Sequence, residues 1–399
     1  MSKPANKTTI NSFGTLFGEL YTKECTAQCE AFAACGGRQE SAPCGCTWPA
    51  SSGKRHKCEE CSLVCRERQK AGPDGSGLQP DFVAHVNAGS LLEQVTLRQD
   101  STLQFPLFIP TNTQHLKGMQ LSLRWAAADI KTLLNVRNLK PYFATRESTQ
   151  KYLRVGPDCN LIAVLNGKDS SLENFWAMER RTILKQLQSS GFSVGTGATY
   201  SVNDSTEDGT PMPYSHNATM LMRHHRIMRE TQAAGMETVP NLYWIDGDQR
   251  EIQHWAEWLM LNTGVCTLTR DFSSTRDTPT VMSKLYELIT LLNTVGRSFH
   301  VLIVGTGCHT APLVLKALAE AGHSGSIITA APIHAACKNV MYRLDNAGRI
   351  IDEKRPDTTM PFPELMWHNM EIFEQALFKA VAGTYTEQKA LPNVLESGF

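Results

Sequence analysis

Eight of the twelve cysteines fall between Cys25 and Cys65, in a stretch poor in aliphatic residues and rich in Gly, Ser and charge. So little apolar surface cannot organise a core, and something else must order the segment. The spacing is Cys25-x3-Cys29-x5-Cys35-x8-Cys44-x-Cys46-x11-Cys58-x2-Cys61-x3-Cys65. Thiolates one to three residues apart reach one metal ion from a single tight turn, and two such pairs complete a tetrahedron. Residues 1–70 therefore read as a Cys-rich metal-binding module.

Cys44, Cys46, Cys58 and Cys61 make a natural four-thiolate zinc site, leaving Cys25, Cys29, Cys35 and Cys65 for a second, with His56 and His309 as further ligand candidates. An iron–sulfur reading stands beside it. Cys58-x2-Cys61-x3-Cys65 echoes the clustered ligands of ferredoxin-type sites and needs one distant fourth cysteine, so a [4Fe-4S] cluster is the alternative to zinc.

The compartment bears on this choice. No basic start followed by an apolar run is present, and no stretch approaches the ~18 to 20 apolar residues that span a bilayer. The expectation is a soluble cytoplasmic protein with no membrane partner, where reducing conditions favour thiolate ligands over disulfides. Lys and Arg balance Asp and Glu at 39 each, so no global field draws the chain to nucleic acid. Locally, Lys54, Arg55, Lys57, Arg66, Arg68 and Lys70 outnumber Glu59, Glu60 and Glu67. Those charges either meet a phosphate backbone or solubilise the module and offset its thiolates.

Ala71-Gly72-Pro73-Asp74-Gly75-Ser76-Gly77 has linker composition, and residues 71–100 are assigned as the connection. Beyond residue 100, short apolar runs alternate with amphipathic stretches, the pattern of strand–helix units on a parallel sheet. The expected strands are Phe105–Ile109, Leu161–Leu165, Phe192–Thr196, Thr238–Ile245, Val265–Thr269, Val301–Val304 and Ser326–Ala330, with an eighth near Tyr142–Thr145. Met282, Leu285, Leu288, Ile289 and Leu292 recur at helical spacing, and a second helix starts at Pro312 and stops before Gly322. Seven or eight units fit a closed (β/α)8 barrel of about 250 to 300 residues. A doubly wound sheet is the competitor, but no G-x-G-x-x-G fingerprint follows any expected strand. The fold class is thus α/β, a TIM-barrel-like domain over 101–385, with a helix from Phe362 to about Val381 and a polar tail over 386–399.

Barrel chemistry sits where strands end. Those ends supply Asn166, Lys168 and Asp169; Thr199 and Tyr200; Asp246 and Asp248; Arg270 and Asp271; Gly305, Thr306 and His309; and Pro332 and His334. Carboxylates, a guanidinium and imidazoles suffice for acid–base or nucleophilic work. Asp246, directly after an apolar run, is the first candidate nucleophile or base, or else Asp246-Gly247-Asp248 only caps a helix from Gln249 to Leu261. Arg270 with Asp271 either clamps an anionic group or forms an ordinary ion pair. Gly305-Thr306-Gly307 lets backbone N–H groups approach a ligand, or is a plain turn. Asn166, Asp169, Tyr200, His309 and His334 complete the candidate substrate-binding set. Arg223-His224-His225-Arg226 reads as a basic helix face, because adjacent helical residues diverge by about 100° and cannot easily share a metal.

Residues 105 to about 342 resemble a barrel family of phages and mobile elements whose function is not known. The likeness rests on Phe105-Pro106-Leu107-Phe108-Ile109-Pro110-Thr111, on Arg223 through Trp244, and on Val301 to Gly307. A fainter resemblance, through Val301–Gly307, Leu313 to Gly322 and Ile327–Pro332, is to tRNA-guanine transglycosylases and their 7-deazaguanine DNA-modifying relatives. Thr329-Ala330-Ala331 stands where that family carries an aspartate, and the cysteines precede the barrel instead of following it. The resemblance implies Asp246 as nucleophile. Three functions follow as expectations: a metal-containing enzyme, transferase-like, acting on nucleic acid or a nucleobase-like substrate; a non-catalytic DNA- or RNA-binding component of a mobile-element or defence system; or an iron–sulfur redox enzyme. Other proteins of the same operon are candidate partners.

Overall fold

The computed structural model describes residues 92–100, 103–115, 120–135, 140–168, 171–172, 175–176, 179–202, 214–244, 249–275, 277–354 and 360–382. The cysteine module, Asp169, Asp246, Asp248 and the polar tail lie outside them. The chain divides into two compact units, one of Thr96–Thr199, Ile227–Tyr243 and Trp255–Phe399, the other of Met1–Val95, Tyr200–Arg226 and Trp244–His254.

Every strand among the described residues belongs to the first unit. In chain order these are β1 (Phe108–Pro110), β2 (Trp125–Asp129), β3 (Asn160–Val164), β4 (Phe192–Thr196), β5 (Glu237–Val239), β6 (Thr267–Asp271), β7 (His300–Val304) and β8 (Ser324–Thr329), then a hairpin of β9 (Val340–Leu344) and β10 (Ile350–Lys354). The first eight form two parallel sheets, ordered β2-β3-β4-β5 and β1-β8-β7-β6. Each sheet meets the other at two seams held by single parallel bridges, Thr111 with Ala127 and Asn241 with Thr269. The result is a ring of eight parallel strands, a TIM-barrel-like α/β fold.

Alternation fills the inside of that ring. Ile109, Trp125, Ala127, Ile162, Val164, Val194, Val239, Leu302, Val304 and Ile328 form one buried cluster, with Phe105 packed 4.6 Å from Trp125. The intervening residues, such as Leu161, Ala163, Val301 and Ile303, are equally buried. That is the mark of parallel strands covered on both faces, by side chains within and helices without.

The helices are α1 (Ile130–Leu133), α2 (Arg146–Leu153), α3 (Arg180–Ser189), α4 (Tyr214–Ala233), α5 (Gln249–Leu261), α6 (Thr278–Val295), α7 (Ala311–Glu320), α8 (Ala331–Cys337) and α9 (Phe362–Val381). In α6 the Asp277 side chain accepts from Thr280 N, proline sits in the first turn, and Gly296 at φ 76° ends it. Leu285, Leu288, Ile289 and Leu292 bury the expected face. Among the described residues no helix is long and apolar enough to cross a membrane.

Two expected strands are corrected. The segment Tyr142–Thr145 is no strand: Thr145 is the N-cap of α2, with Ser148 N donating to its hydroxyl and Thr145 N donating back to Ser148 Oγ. The missing strand is β2, Trp-Ala-Ala-Ala-Asp, whose alanines give no β signal but leave room for Trp125 and Phe105 inside the ring. Of the run expected as a strand over Thr238–Ile245, the residues described up to Trp244 contribute only Thr238 and Val239 to the short β5, because Pro240 has no N–H for a ladder.

The Gln99 carboxamide reinforces the seam between β5 and β6. Its Nε2 donates to the carbonyls of Thr238 (3.2 Å) and Thr267 (2.7 Å), and its Oε1 accepts from Cys266 N (2.8 Å) and Thr267 N (2.7 Å). One side chain thus links β5 to β6 on the N-terminal side of the Asn241–Thr269 bridge.

Candidate functional site

The alternation that buries Val164, Val239 and Val304 continues to the C-terminal ends of the strands, where polar residues replace apolar ones. Asp271, paired in register with Val304, and Thr269, paired with Leu302, point inward from β6. Asn166 follows β3 and Asn241 follows β5. Asn166 Nδ2 donates to Asp271 Oδ2 at 2.6 Å, and Ser273 N donates to Asp271 Oδ1 at 2.7 Å. Bonds of this kind to a carboxylate are short and strong. They fix the orientation of Asp271 and leave further lone pairs to meet a ligand.

The surroundings carry unused polar capacity. Asn241 Nδ2 bonds the Thr199 hydroxyl, but Asn241 Oδ1, Thr269 Oγ1 and Thr306 Oγ1 are buried with no hydrogen-bond partner among the described residues. Thr306 is held by its own backbone, its carbonyl accepting from Thr329 Oγ1 at 3.0 Å. Buried polar atoms are normally paired, so three unmatched oxygens at one end of a barrel point to a polar occupant.

Gly305 sets the shape here. Its φ of 84° is a left-handed conformation, and a Cβ would fall 2.5 Å from Ser273 Cα. Only glycine lets the end of β7 and the loop after β6 that carries Ser273 approach this closely. The Gly305 amide donates to Ile328 O at 3.0 Å, so it is spent within the barrel and does not face an anion.

The other sequence candidates separate. Arg270 precedes Asp271 on β6 and projects to the opposite face. It is buried, donates to Leu242 O at 2.7 Å and lies over the Phe272 ring, so the two do not act as a pair. Lys168 and His334 are exposed, His334 on α8. Tyr200 is buried in the smaller unit, with the Arg223 guanidinium 5.9 Å from its ring centroid.

Within that smaller unit the expected basic helix face is corrected. Arg223, His224 and His225 are all buried on α4. His225 Nε2 lies 3.3 Å from Glu251 Oε1, and His254 Nδ1 lies 3.7 Å from Glu251 Oε2. Burial by itself raises the Glu251 carboxyl, but bonds and charge from His225 and His254 outweigh it and bring it down to about 2.

His309 has partners that spacing did not reveal. It lies beside buried Cys308 on the loop after β7, and its Nε2 is 3.4 Å from Asp352 Oδ2 on β10. Ligand atoms of Cys308, His309 and Asp352 all fall within 4.8 Å of one another. Burial pushes the Cys308 thiol up, and the neighbouring Tyr342 hydroxyl on β9 donates to Ala331 O at 3.2 Å. Asp352 and Tyr342 were missed because the hairpin was; the turn Asp345-Asn346-Ala347-Gly348 between two β-rich runs was its signal.

No protein-family model matches the chain, and no curated protein matches it. Similar solved structures include a protein assigned as a fructose-1,6-biphosphate aldolase from Coccidioides immitis, at a TM-score of 0.33 and 14% identity over 75% of this chain and 95% of that one. Another is the carboxyl transferase domain of Rhizobium etli pyruvate carboxylase, at a TM-score of 0.34 and 8% identity over 74% of this chain and 50% of that one. Likeness at this level carries no functional weight, and the barrel rests on its own strand pairing.

Proposed function

We propose that the barrel is an enzyme acting on a small polar ring of the nucleobase class, with Asp271 as the base that accepts a proton from the bound substrate. The observation that supports this reading most is the Asp271 carboxylate, oriented by Asn166 and Ser273, on a barrel whose strands and strand ends also carry the unmatched oxygens of Asn241, Thr269 and Thr306. A nucleobase presents N–H donors and carbonyl acceptors around a planar edge. Carboxylate and amide oxygens take the donors, and threonine hydroxyls serve either kind. A general base must stand within hydrogen-bond reach of the proton it removes. In this reading the cysteine-rich segment holds zinc and grips the polymer that carries the base.

The test is calorimetric titration of the full-length protein with free purines, pyrimidines, 7-deazaguanine and their nucleosides. At least one should bind, and Asp271→Ala should weaken that ligand tenfold or more while circular dichroism stays unchanged. Unchanged affinity in the variant, or no binding by any member of the panel, sinks the proposal.

A further inference from the structure

We infer that Cys308, His309 and Asp352 form a three-ligand site for zinc. The three donors are one thiolate sulfur, one imidazole nitrogen and one carboxylate oxygen, the set that zinc, a borderline cation, accepts. They converge from the β7–α7 loop and from β10, with all ligand atoms within 4.8 Å of one another.

The contact between His309 and Asp352 carries the geometry. At 3.4 Å, Nε2 to Oδ2 is long for a charge-assisted hydrogen bond, which lies at about 2.7 to 2.9 Å. In a tetrahedral site with bonds of about 2.0 to 2.1 Å, the nitrogen–oxygen edge is about 3.3 Å. The two groups are therefore spaced as neighbouring ligands of one ion. The sulfur completes a face of the tetrahedron after small rotations of His309 and Asp352, whose side chains are 56% and 50% exposed.

The support around the ligands is stiff. The Tyr342 hydroxyl donates to Ala331 O at 3.2 Å, tying β9 to the start of α8. Tyr342 N donates to Asn369 Oδ1 at 2.8 Å, and Asn369 Nδ2 donates to Val340 O at 2.9 Å, tying β9 to buried Asn369 on α9. Asp352 faces Tyr342 in the register of the hairpin. Three protein ligands leave a fourth position toward solvent for water or a substrate oxygen, the arrangement of reactive zinc sites.

The experiment is zinc content per chain, by plasma mass spectrometry, on full-length wild type and the His309→Ala and Asp352→Asn variants after zinc loading and dialysis. His309 and Asp352 are half exposed, so the variants keep their fold, and the difference cancels zinc held by other cysteines. Wild type should exceed each variant by one zinc per chain. Cobalt loading should show a thiolate-to-cobalt band in the wild type minus His309→Ala difference spectrum. Equal zinc content in wild type and His309→Ala overturns the assignment.

Discussion

The side chains of Asn166 and Asp271 meet at 2.6 Å although their strands, β3 and β6, belong to different four-stranded sheets. The bond therefore spans the mouth of the barrel and links its two halves, as well as orienting the carboxylate. Asn166→Ala should lower stability to urea by about 1.5 to 3 kcal/mol, the worth of a hydrogen bond to a charged group. The same variant should weaken the ligand that Asp271 binds. A variant as stable as wild type means the bond adds nothing to closure.

Gln99→Ala removes four hydrogen bonds at the opposite end of one seam and leaves the carbonyl of Thr267 and the amides of Cys266 and Thr267 short of partners. Losses of about 1 to 3 kcal/mol accompany each such buried group, partly relieved by water. Chemical denaturation should show a fall of at least that size. Gln99→Glu should be destabilising too, since a carboxylate cannot donate to the Thr238 and Thr267 carbonyls.

Gly305→Ala tests the close approach of the end of β7 to the Ser273 loop that follows Asp271. A methyl group 2.5 Å from Ser273 Cα, on a residue at φ 84°, forces the backbone of that loop to move. The expected result is a thermal midpoint lowered by several degrees, roughly 2 kcal/mol or more, together with weaker ligand binding. Gly307→Ala, where a Cβ meets nothing within 4 Å, is the control and should be close to neutral.

Glu251 predicts a pH effect. Its carboxyl is held at about 2 against an ordinary value of 4.5, so the folded form prefers the ionised group. The stabilisation is fully present above pH 4.5 and is lost as pH falls from there toward 2. Stability of wild type measured between pH 5 and pH 2.5 should drop more steeply than that of Glu251→Gln. Parallel curves exclude the His225–Glu251–His254 cluster as the origin.

The cysteine-rich segment makes its own prediction. Anaerobically purified protein should be colourless and contain zinc, and substitution of Cys58 and Cys61 should release part of it. A brown preparation absorbing near roughly 400 nm identifies the iron–sulfur alternative instead.

Much of the barrel was legible because parallel strands announce themselves as apolar runs. Phe192–Thr196 is bounded in the structure as in the sequence, and α5 and α9 follow their apolar patterns. Alanine-rich β2 was not legible, since nothing in three alanines distinguishes a strand packed beside large aromatics from a helix. Asp271 could be placed at a strand end, but not its partner: Asn166 lies 105 positions away, and only closure of the ring brings them together. The direction of Arg270 followed from strand parity once β6 was bounded at Thr267, two residues later than the apolar run suggested. Arg223, His224 and His225 misled because charge was taken as exposure, whereas Glu251 from a different helix satisfies His225 in the interior.

The two single-bridge seams divide the ring into halves joined by shorter backbone ladders than any neighbouring strands within a half. Asn166 and Asp271 stand on opposite sides of that division, like a clasp across a split cylinder. A molecule seated against both tightens the whole barrel, so that occupancy and rigidity rise together.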